Sequence, residues 1–298
     1  MAETPGEPQP VLTGMSFLEG PRWRDGRIWV SDFYTHRVLS ARADGSDVRT
    51  EAEVPQQPSG LGWLPDGRLL IVSMRDRRIL RRESDGALAV HADLSGRSAH
   101  VLNDMIVDAG GRAWVGSFGF DLMNGAPRAA APLLRVDPDG TVTTATEPLH
   151  FANGPALTGG ELVVAETFGN RLSAFPVGPD GTLGERRDWA RFGEVPVEED
   201  PLAAIARLTV APDGISAPDA EGAIWVADAA GNRAIRVRPG GEIADEVSTG
   251  EVGTYACQLG GEDGRTLFLC TAPGFAEHER RDTRVAELLA VRVPVPAA

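Results

Sequence analysis

The 298-residue sequence contains no lysine, and all 29 of its basic residues are arginine. Without lysine the chain cannot form a Schiff base or use a Ser/Lys catalytic pair, so those covalent mechanisms are excluded. The 43 acidic residues outnumber the arginines and give a formal net charge of −14. A surface of that sign repels nucleic acid, so no nucleic-acid partner is expected, and a neutral small molecule or a cation is the expected ligand.

Cysteine is almost as scarce. Cys257 and Cys270 are too few for a cysteine-rich zinc site or a disulfide scaffold. They flank the predicted turn at Asp263 and Gly264 at equal spacing, so an antiparallel hairpin is expected to place them opposite each other. The sequence leaves a disulfide between them open, and a pair of buried free thiols in a reducing cytosol is the favoured interpretation.

Long apolar runs and familiar catalytic signatures are missing as well. No run approaches the roughly 18 residues of a membrane helix, and the first residues, MAETPGEPQP, lack the charged and apolar regions of a signal peptide. No membrane role is therefore expected, and the predicted location is the cytoplasm. The chain also contains no G-x-S-x-G or H-E-x-x-H motif, no P-loop and no dinucleotide fingerprint. Metal-assisted chemistry is the class that these absences leave.

Six related segments run through the chain. They are PRWRDGRIWVSD, LGWLPDGRLLIVSM, DMIVDAGGRAWVGS, PALTGGELVVAET, ISAPDAEGAIWVAD and CQLGGEDGRTLFLCT. Each combines a short strand, a tight glycine-containing turn and a strongly apolar second strand, and most are followed by a third strand and another glycine turn. Asp-Gly and Gly-Gly are typical of hairpins because the backbone there adopts positive φ. A repeat of about 40 to 60 residues is typical of propeller blades.

The repeats predict an all-β fold, a six-bladed β-propeller with four-stranded antiparallel blades. One domain is expected over residues 1–298, structured over about 10–295, with helix limited to a turn or two near 200–207. The sixth repeat is one strand short, so residues 10–14 are predicted to pair with it, close the ring and remove an exposed sheet edge. Irregular connections collect on one face, where function is expected. The longest are residues 118–132, 185–207 and 273–284.

One register position at the start of each innermost strand carries a polar side chain in nearly every repeat. The six residues at this position are Glu19, Ser59, Asn103, Asn153, Asp213 and, by a weaker match, Tyr255. Carboxylate and amide oxygens predict a divalent cation at the mouth of the central channel. Ca²⁺ fits best, Mg²⁺ or Mn²⁺ is possible, and Zn²⁺ is less suited without His or Cys. The alternative is that the following Gly-Pro and Asp-Gly pairs are turn signals and these side chains bond to backbone.

Other residues near this face are weaker candidates for a substrate wall or a second ion. Three acidic residues end second strands, where solvated loop ends are the alternative interpretation: Asp32, Glu166 and Asp228. Two histidines, His36 and His150, also fall near this face, and a lone histidine is more often a packed or capping residue. Three tryptophans recur at one strand position and are predicted to pack between blades: Trp29, Trp114 and Trp225.

The stretches FLEGPRW, LNDMIVDAGGRAWVGS, FANGP with ELVVAETFGNRLSAF, and APDGISAPDAEGAIWVA together resemble the SMP-30/gluconolactonase/luciferin-regenerating enzyme family. The resemblance implies a six-bladed, calcium-dependent lactonase in which Glu19, Asn153 and Asp213 hold the metal. It further implies that Asn103 contacts metal-bound water or substrate and that Asp121 lies on the substrate side. Sugar-lactone enzymes of that family carry an arginine where this chain has Val101, which implies a less polar lactone or another ester.

The predicted function is hydrolysis of a lactone or related cyclic ester, with a metal polarising the carbonyl and Asp213 acting as general base. The alternative is a non-catalytic propeller that binds a partner or ligand on its loop-rich face, with a structural metal. A metal-free condensing propeller like strictosidine synthase is a third possibility, and the Glu, Asn and Asp set argues against it. The sequence leaves open which lactone is the substrate, which metal is native and what the oligomeric state is.

Overall fold

Six four-stranded antiparallel sheets make up the fold. The computed structural model describes residues 4–298, and its strands are numbered in chain order from β1 (Gln9–Met15). The first blade consists of β2 (Leu18–Arg24), β3 (Arg27–Asp32), β4 (Arg37–Ala41) and β5 (Arg49–Glu53). The second consists of β6 (Pro58–Trp63), β7 (Leu69–Ser73), β8 (Arg78–Arg82) and β9 (Leu88–Asp93). The third consists of β10 (Leu102–Val107), β11 (Ala113–Ser117), β12 (Leu134–Val136) and β13 (Val142–Thr144).

The remaining blades follow the same order. The fourth consists of β14 (Ala152–Thr158), β15 (Glu161–Glu166), β16 (Arg171–Pro176) and β17 (Arg187–Arg191). The fifth consists of β18 (Pro212–Ile215), β19 (Ile224–Asp228), β20 (Arg233–Val237) and β21 (Ile243–Ser248). The sixth combines β22 (Gly253–Gly260), β23 (Thr266–Ala272) and β24 (Ala286–Arg292) with β1. Within residues 4–298, helical structure is limited to α1 (Pro201–Ile205), α2 (Glu277–Arg280) and the 3₁₀ turns Phe33–Thr35, Leu122–Asn124 and Thr167–Gly169.

The ring closes through the N-terminal strand, as predicted. Strand β1 pairs antiparallel with β24 and brings Pro10 opposite Leu289 and Leu12 opposite Leu288. The six innermost strands, β2, β6, β10, β14, β18 and β22, pack against one another in cyclic order. Because the first and last blades thereby become neighbours, the six-bladed propeller with four-stranded antiparallel blades is confirmed.

The second strand of each blade forms the apolar centre of its sheet. All five residues of β7, LLIVS, are buried, and so are all five of β19, IWVAD. Such a strand has hydrogen-bonded neighbours on both edges and an adjacent blade against each face, so it reads as a continuous apolar run rather than an alternating one. The tryptophans confirm this packing between blades. Trp114 and Trp225 are fully buried, and Trp29 meets Trp63 of the next blade edge to face at 5.3 Å.

In each innermost strand the register of pairing with the second strand shifts next to the polar position predicted from the sequence. In β2 the break follows Glu19, in β14 it lies between Ala152 and Pro155, and the other four inner strands carry the same irregularity. A β-bulge bends the strand and re-aims one side chain, which directs these residues toward the axis. Gly154 permits the tight packing there, because a Cβ on it would lie 2.5 Å from the backbone nitrogen of Ile215.

The two cysteines are free and buried, but they are not opposite each other. In the β22–β23 hairpin Cys257 faces Leu269, and Cys270 faces Ala256. The expectation was wrong by one residue because the pairing is centred on Asp263 rather than between Asp263 and Gly264. Since neighbouring strand residues point to opposite faces, Cys257 packs toward the fifth blade and Cys270 toward the first.

The long connections lie on one face, as predicted, with differences in detail. Residues 187–191 of the expected connection 185–207 form the outer strand β17, and α1 accounts for the helical turn expected near 200–207. The short helix α2 in the connection 273–284 was not predicted. Among residues 4–298, no helix is long and apolar enough to cross a membrane.

Candidate metal centre and cavity

Four of the six inner-strand residues meet in one cavity on the loop-rich face. Glu19, Asn103, Asn153 and Asp213 come from β2, β10, β14 and β18, and all four line it. Each of these residues is 8% exposed or less. Tyr255 of β22 lines the same cavity, and Ser59 of β6 does not appear in its wall. The cavity contains about 590 Å³ of empty volume, which includes the part that is open to solvent.

The two amides are held in place by a chain of hydrogen bonds that crosses three blades. The Nδ2 of Asn103 donates to the Oδ1 of Asn153 at 3.1 Å and to the carbonyl of Ala152 at 3.3 Å. The Nδ2 of Asn153 donates to the hydroxyl of Thr167 at 3.3 Å, and that hydroxyl donates to the carbonyl of Pro212 at 2.8 Å. Thr167 was missed by the sequence analysis, although a hydroxyl directly after the strand-end Glu166 was a usable signal.

The two carboxylates of the cavity have fewer partners than the amides. Glu19 accepts the backbone N–H of Gly20 at 3.3 Å, while the Oδ1 of Asp213 is buried and has no hydrogen-bond partner within residues 4–298. Burial, and then the neighbouring Asp213, raises the pKa of Glu19 well above its ordinary value. Burial, and then Asp104, does the same for the pKa of Asp213. Two buried, unpaired carboxylates are costly unless a cation joins them.

A divalent cation suits this set of donors. Within the described chain no group of three or more His, Cys, Asp or Glu side chains is arranged for a metal, so a site here has to include the amide oxygens. Two carboxylates and two amides form an oxygen-only set, which Ca²⁺ prefers and which disfavours Zn²⁺. The open Oδ1 of Asp213 is the atom that most needs a cation.

An ion pair lies beneath the candidate ligands and was not predicted. Asp104 accepts from the Nη2 of Arg22 at 2.8 Å and from the backbone N–H of Met105 at 2.8 Å. The same Nη2 donates to the carbonyl of Met105 at 2.6 Å. The guanidinium charge is therefore engaged below the cavity, and the Asp104 charge contributes to raising the pKa of both Glu19 and Asp213. The consecutive Asn and Asp of the LNDM segment were the sequence signal that could have predicted this ion pair.

Aromatic rings form the cavity walls. Phe17 and Phe151 both line it, and each precedes an inner-strand candidate, Glu19 or Asn153, by two residues. This F-x-E and F-x-N spacing was a missed signal. Val101 occupies the matching position before Asn103, where it is partly buried against the same apolar cluster. Its side chain does not line the cavity, and its carbonyl accepts the N–H of Phe118 at 3.1 Å.

The three strand-end carboxylates lie elsewhere and are almost completely buried rather than solvated. Each accepts a backbone N–H from the loop that leads into its own blade: Asp32 from Ser16 at 3.0 Å, Glu166 from His150 at 2.8 Å and Asp228 from Ala211 at 2.9 Å. Each also has an arginine directly across the strand pair, at 3.9 Å for Arg37, 2.9 Å for Arg171 and 2.9 Å for Arg233. None of the three lines the cavity, so they act as anchors for the loops.

The other candidates on this face are also away from the cavity. Asp121 caps the 3₁₀ turn Leu122–Asn124, where it accepts the backbone N–H of Asn124 at 3.2 Å. His36 ends the turn Phe33–Thr35 in a left-handed conformation with φ of 59°, which is a capping role. His150 lines a neighbouring cavity together with Arg128, and burial lowers its pKa.

Comparison with known proteins identifies the family. Residues 17–273 match the family described as SMP-30/Gluconolactonase/LRE-like region, which is most of the chain. The chain belongs to this family. The family predicted from the sequence motifs is thereby confirmed, and the matched region includes all the proposed metal ligands.

Individual relatives agree with this assignment. A 6-deoxy-6-sulfogluconolactonase from Pseudomonas putida is 25% identical over 286 residues, which cover 95% of this chain and 88% of the relative. A luciferin-regenerating enzyme superposes with a TM-score of 0.79 at 18% identity, covering 99% of this chain and 97% of that one. Regucalcin from Agrobacterium tumefaciens, a calcium-binding protein, gives a TM-score of 0.77 at 19% identity, covering 100% and 96%. At these identities the solved structures show the shared propeller fold.

Proposed function

We propose that this protein hydrolyses a lactone or related cyclic ester at a divalent metal ion, Ca²⁺ being the best match to its ligands. Its membership of the gluconolactonase-like family supports the lactonase class, and its similarity to a sulfogluconolactonase agrees with it. The likeness to a calcium-binding protein agrees with a metal. The observation that carries the proposal is the unpartnered Oδ1 of Asp213, buried in the same cavity as Glu19.

In this proposal Glu19, Asn153 and Asp213 hold the cation, and Asn103 lies beside them to orient the substrate or a water molecule. A bound divalent cation supplies a Lewis acid and offsets the negative charge that develops on the carbonyl oxygen. The hydrogen-bond chain from Asn103 through Asn153 to Thr167 keeps both amides in position before substrate arrives. That preorganisation limits reorganisation during the reaction.

Asp213 is proposed as the general base. Its second carboxylate oxygen accepts a proton from the attacking water while the water oxygen bonds to the carbonyl carbon. The ring C–O bond then breaks, the leaving alkoxide takes up the proton that Asp213 accepted, and the product is a hydroxy acid. Direct substrate contact by Asp121 or Val101 stays a prediction, as does the cytoplasmic location.

The decisive experiment measures hydrolysis of a panel of γ- and δ-lactones by acid release, before and after treatment with a chelator. We expect the chelator to abolish hydrolysis and added Ca²⁺ to restore it. We also expect Ca²⁺ to stabilise the fold by about 2.7 kcal/mol at a hundredfold excess over the dissociation constant. Hydrolysis that survives complete metal removal would contradict the proposal. Stabilisation by Ca²⁺ without hydrolysis of any lactone would favour the non-catalytic propeller instead.

A further inference from the structure

The wall of the cavity above the candidate metal centre is mostly apolar. Of its 17 lining residues, five are polar, and these are the four inner-strand residues and Thr167. The other 12 comprise eight aromatic and four aliphatic residues. Both tyrosines of the chain and six of its ten phenylalanines are among them. All polar lining groups apart from the two tyrosine hydroxyls therefore belong to the centre where the ester would react.

The aromatic residues form two packed groups. In the first, Phe151 contacts Phe118 at 4.6 Å and Phe168 at 5.3 Å between ring centroids, which joins the third and fourth blades. In the second, Tyr255 contacts Phe17 at 4.8 Å and Phe275 at 6.4 Å, which joins the first and sixth blades. Rings held by such mutual contacts form a rigid apolar surface.

Hydrogen-bond donors for a substrate hydroxyl are scarce along this wall. The hydroxyl of Tyr34 already donates to the carbonyl of Phe275 at 3.2 Å. Arg128 lies over Phe168, 5.3 Å from the ring centroid, and lines the neighbouring cavity rather than this one. Its Nε and Nη2 donate to the carbonyls of Glu198 and Pro196, each at 2.7 Å. No arginine or histidine within residues 4–298 lines the aromatic cavity.

The apolar wall continues to the rim. Leu122 and Met123 of the connection after β11 line the cavity, and so does Ile205 of α1. Met123 is 36% exposed, so the apolar surface reaches solvent. The backbone N–H of Arg128 donates to the carbonyl of Glu199 at 3.0 Å, which ties the connection carrying Leu122 to the one carrying Ile205. An apolar substituent could therefore contact protein along its length.

We infer that the substrate is a lactone whose ring carries an alkyl or aryl substituent, with the ester at the metal centre and the substituent between the two aromatic groups. This inference rests on the proposed function. A polyhydroxylated lactone would lose water from its hydroxyls and gain few protein partners along this wall. Each methylene buried against the wall instead favours binding by about fourfold, the fold-change that corresponds to ~0.8 kcal/mol per CH₂.

The test measures kcat/KM at saturating Ca²⁺ for δ-lactones that share one ring and differ in the length of a C5 alkyl chain, compared with glucono-δ-lactone. We expect kcat/KM to rise with chain length and the octyl-range members to exceed glucono-δ-lactone by about 100-fold or more. A series that is flat, or a preference for glucono-δ-lactone, would overturn the inference.

Two rim variants locate the effect. Phe275 is half-buried and Met123 is exposed, so Phe275→Ser and Met123→Ser should both fold, which thermal melting checks. Each should lower kcat/KM for the long-chain lactones by about tenfold. The matched control is Val90→Ser, which removes an exposed side chain on the outer strand β9 and should not change the chain-length series. An equal loss in the control and the rim variants would contradict a role for the rim.

A non-hydrolysable probe separates this inference from the proposed function. The δ-lactams with the same alkyl chains should bind the Ca²⁺-loaded protein more tightly as the chain lengthens, with a negative ΔCp in calorimetry. Lactam binding without hydrolysis of any lactone would refute the function and leave the apolar site standing. Metal-dependent hydrolysis that favours glucono-δ-lactone would refute the apolar substrate and leave the function standing.

Discussion

Two sets of buried carboxylates lie near the same face of this propeller and differ completely in their surroundings. Glu19 and Asp213 have few partners, and the pKa of each is raised. Asp32, Glu166 and Asp228 are at least as buried, yet each accepts backbone N–H groups and faces an arginine. The pKa of Glu166 is lowered, because Arg171, Ser173 and the His150 N–H together outweigh the opposing effect of burial.

Burial by itself therefore does not mark a functional carboxylate. The strand-end set is satisfied within the fold, so its charges stabilise loops and need no ligand. Glu19 and Asp213 are only partly satisfied, since the Oδ1 of Asp213 has no partner within residues 4–298, so a bound cation would lower their electrostatic cost. Perturbed and unpaired groups in a cavity are the expected sign of a functional site.

The largest change in kcat is expected at Asp213, whereas the same substitution at Asp228, also in the fifth blade, should leave kcat nearly unchanged. Asp213→Asn keeps an oxygen for the metal but removes the proton acceptor, so kcat should fall by about 10²- to 10⁴-fold even at saturating Ca²⁺. Asp228→Asn is the matched control, since Asp228 lies on the adjacent strand and accepts from Ala211 and Arg233. It should lose about 1–3 kcal/mol of stability while its kcat changes little. Full recovery of Asp213→Asn by excess Ca²⁺ would show Asp213 to be a ligand only.

In the metal-free protein, Glu19→Gln and Glu166→Gln should change the stability of the fold in opposite directions. In chelator, Glu19→Gln removes a buried unpaired charge and should raise the unfolding temperature by about 2 °C or more. Glu166→Gln leaves Arg171 without its carboxylate and should cost about 3–5 kcal/mol under the same conditions. With Ca²⁺ present the benefit of Glu19→Gln should vanish, because the metal no longer binds well. Thermal unfolding in both conditions, with bound-metal stoichiometry, tests the pair.

Loss of stability by both variants in chelator would show that the Glu19 carboxylate, like that of Glu166, stabilises the metal-free fold. An unchanged Ca²⁺ shift and metal content in Glu19→Gln would remove Glu19 from the site.

A smaller effect is expected in how the free energy of unfolding of the metal-free protein depends on pH. The raised pKa values of Glu19 and Asp213 mean that the native state binds their protons more tightly than the unfolded chain does. Their favourable contribution is complete below the unfolded pKa of about 4 and is lost as pH rises through the raised folded values. Glu166 has the opposite sign, and its contribution is present above its unfolded pKa of about 4.3 and lost as pH falls through the lowered folded value.

Denaturant unfolding in chelator, at a series of pH values above about 4 for Glu19 and Asp213, measures the difference. The stabilisation from Glu19→Gln should grow as pH rises, whereas the cost of Glu166→Gln should shrink only as pH falls below about 4. A stabilisation by Glu19→Gln that is independent of pH would mean that its cause is packing rather than charge.

Much of the fold followed from local patterns in the sequence. Strand and turn signals recur in every repeat, so they predicted six blades, the strand that closes the ring and the face that carries the connections. The shared register of Glu19, Asn103, Asn153 and Asp213 followed from the same alignment. These features depend on residues close together in the chain, or on repetition, which makes them visible without a structure.

The features that the sequence did not predict depend on contacts between residues that are distant in the chain. Asp32 and Asp213 look alike as acidic residues in β segments, and only the folded chain gives one of them Ser16 and Phe17 as N–H donors and leaves the other with an open oxygen. Cys257 and Cys270 miss each other by one residue because the hairpin pairing is centred on a single residue. The aromatic wall forms because connections from several blades meet over the channel. Whether a buried polar group finds hydrogen-bond partners, and which side chains meet in a cavity, depends on three-dimensional packing. A repeat, by contrast, is visible in the sequence.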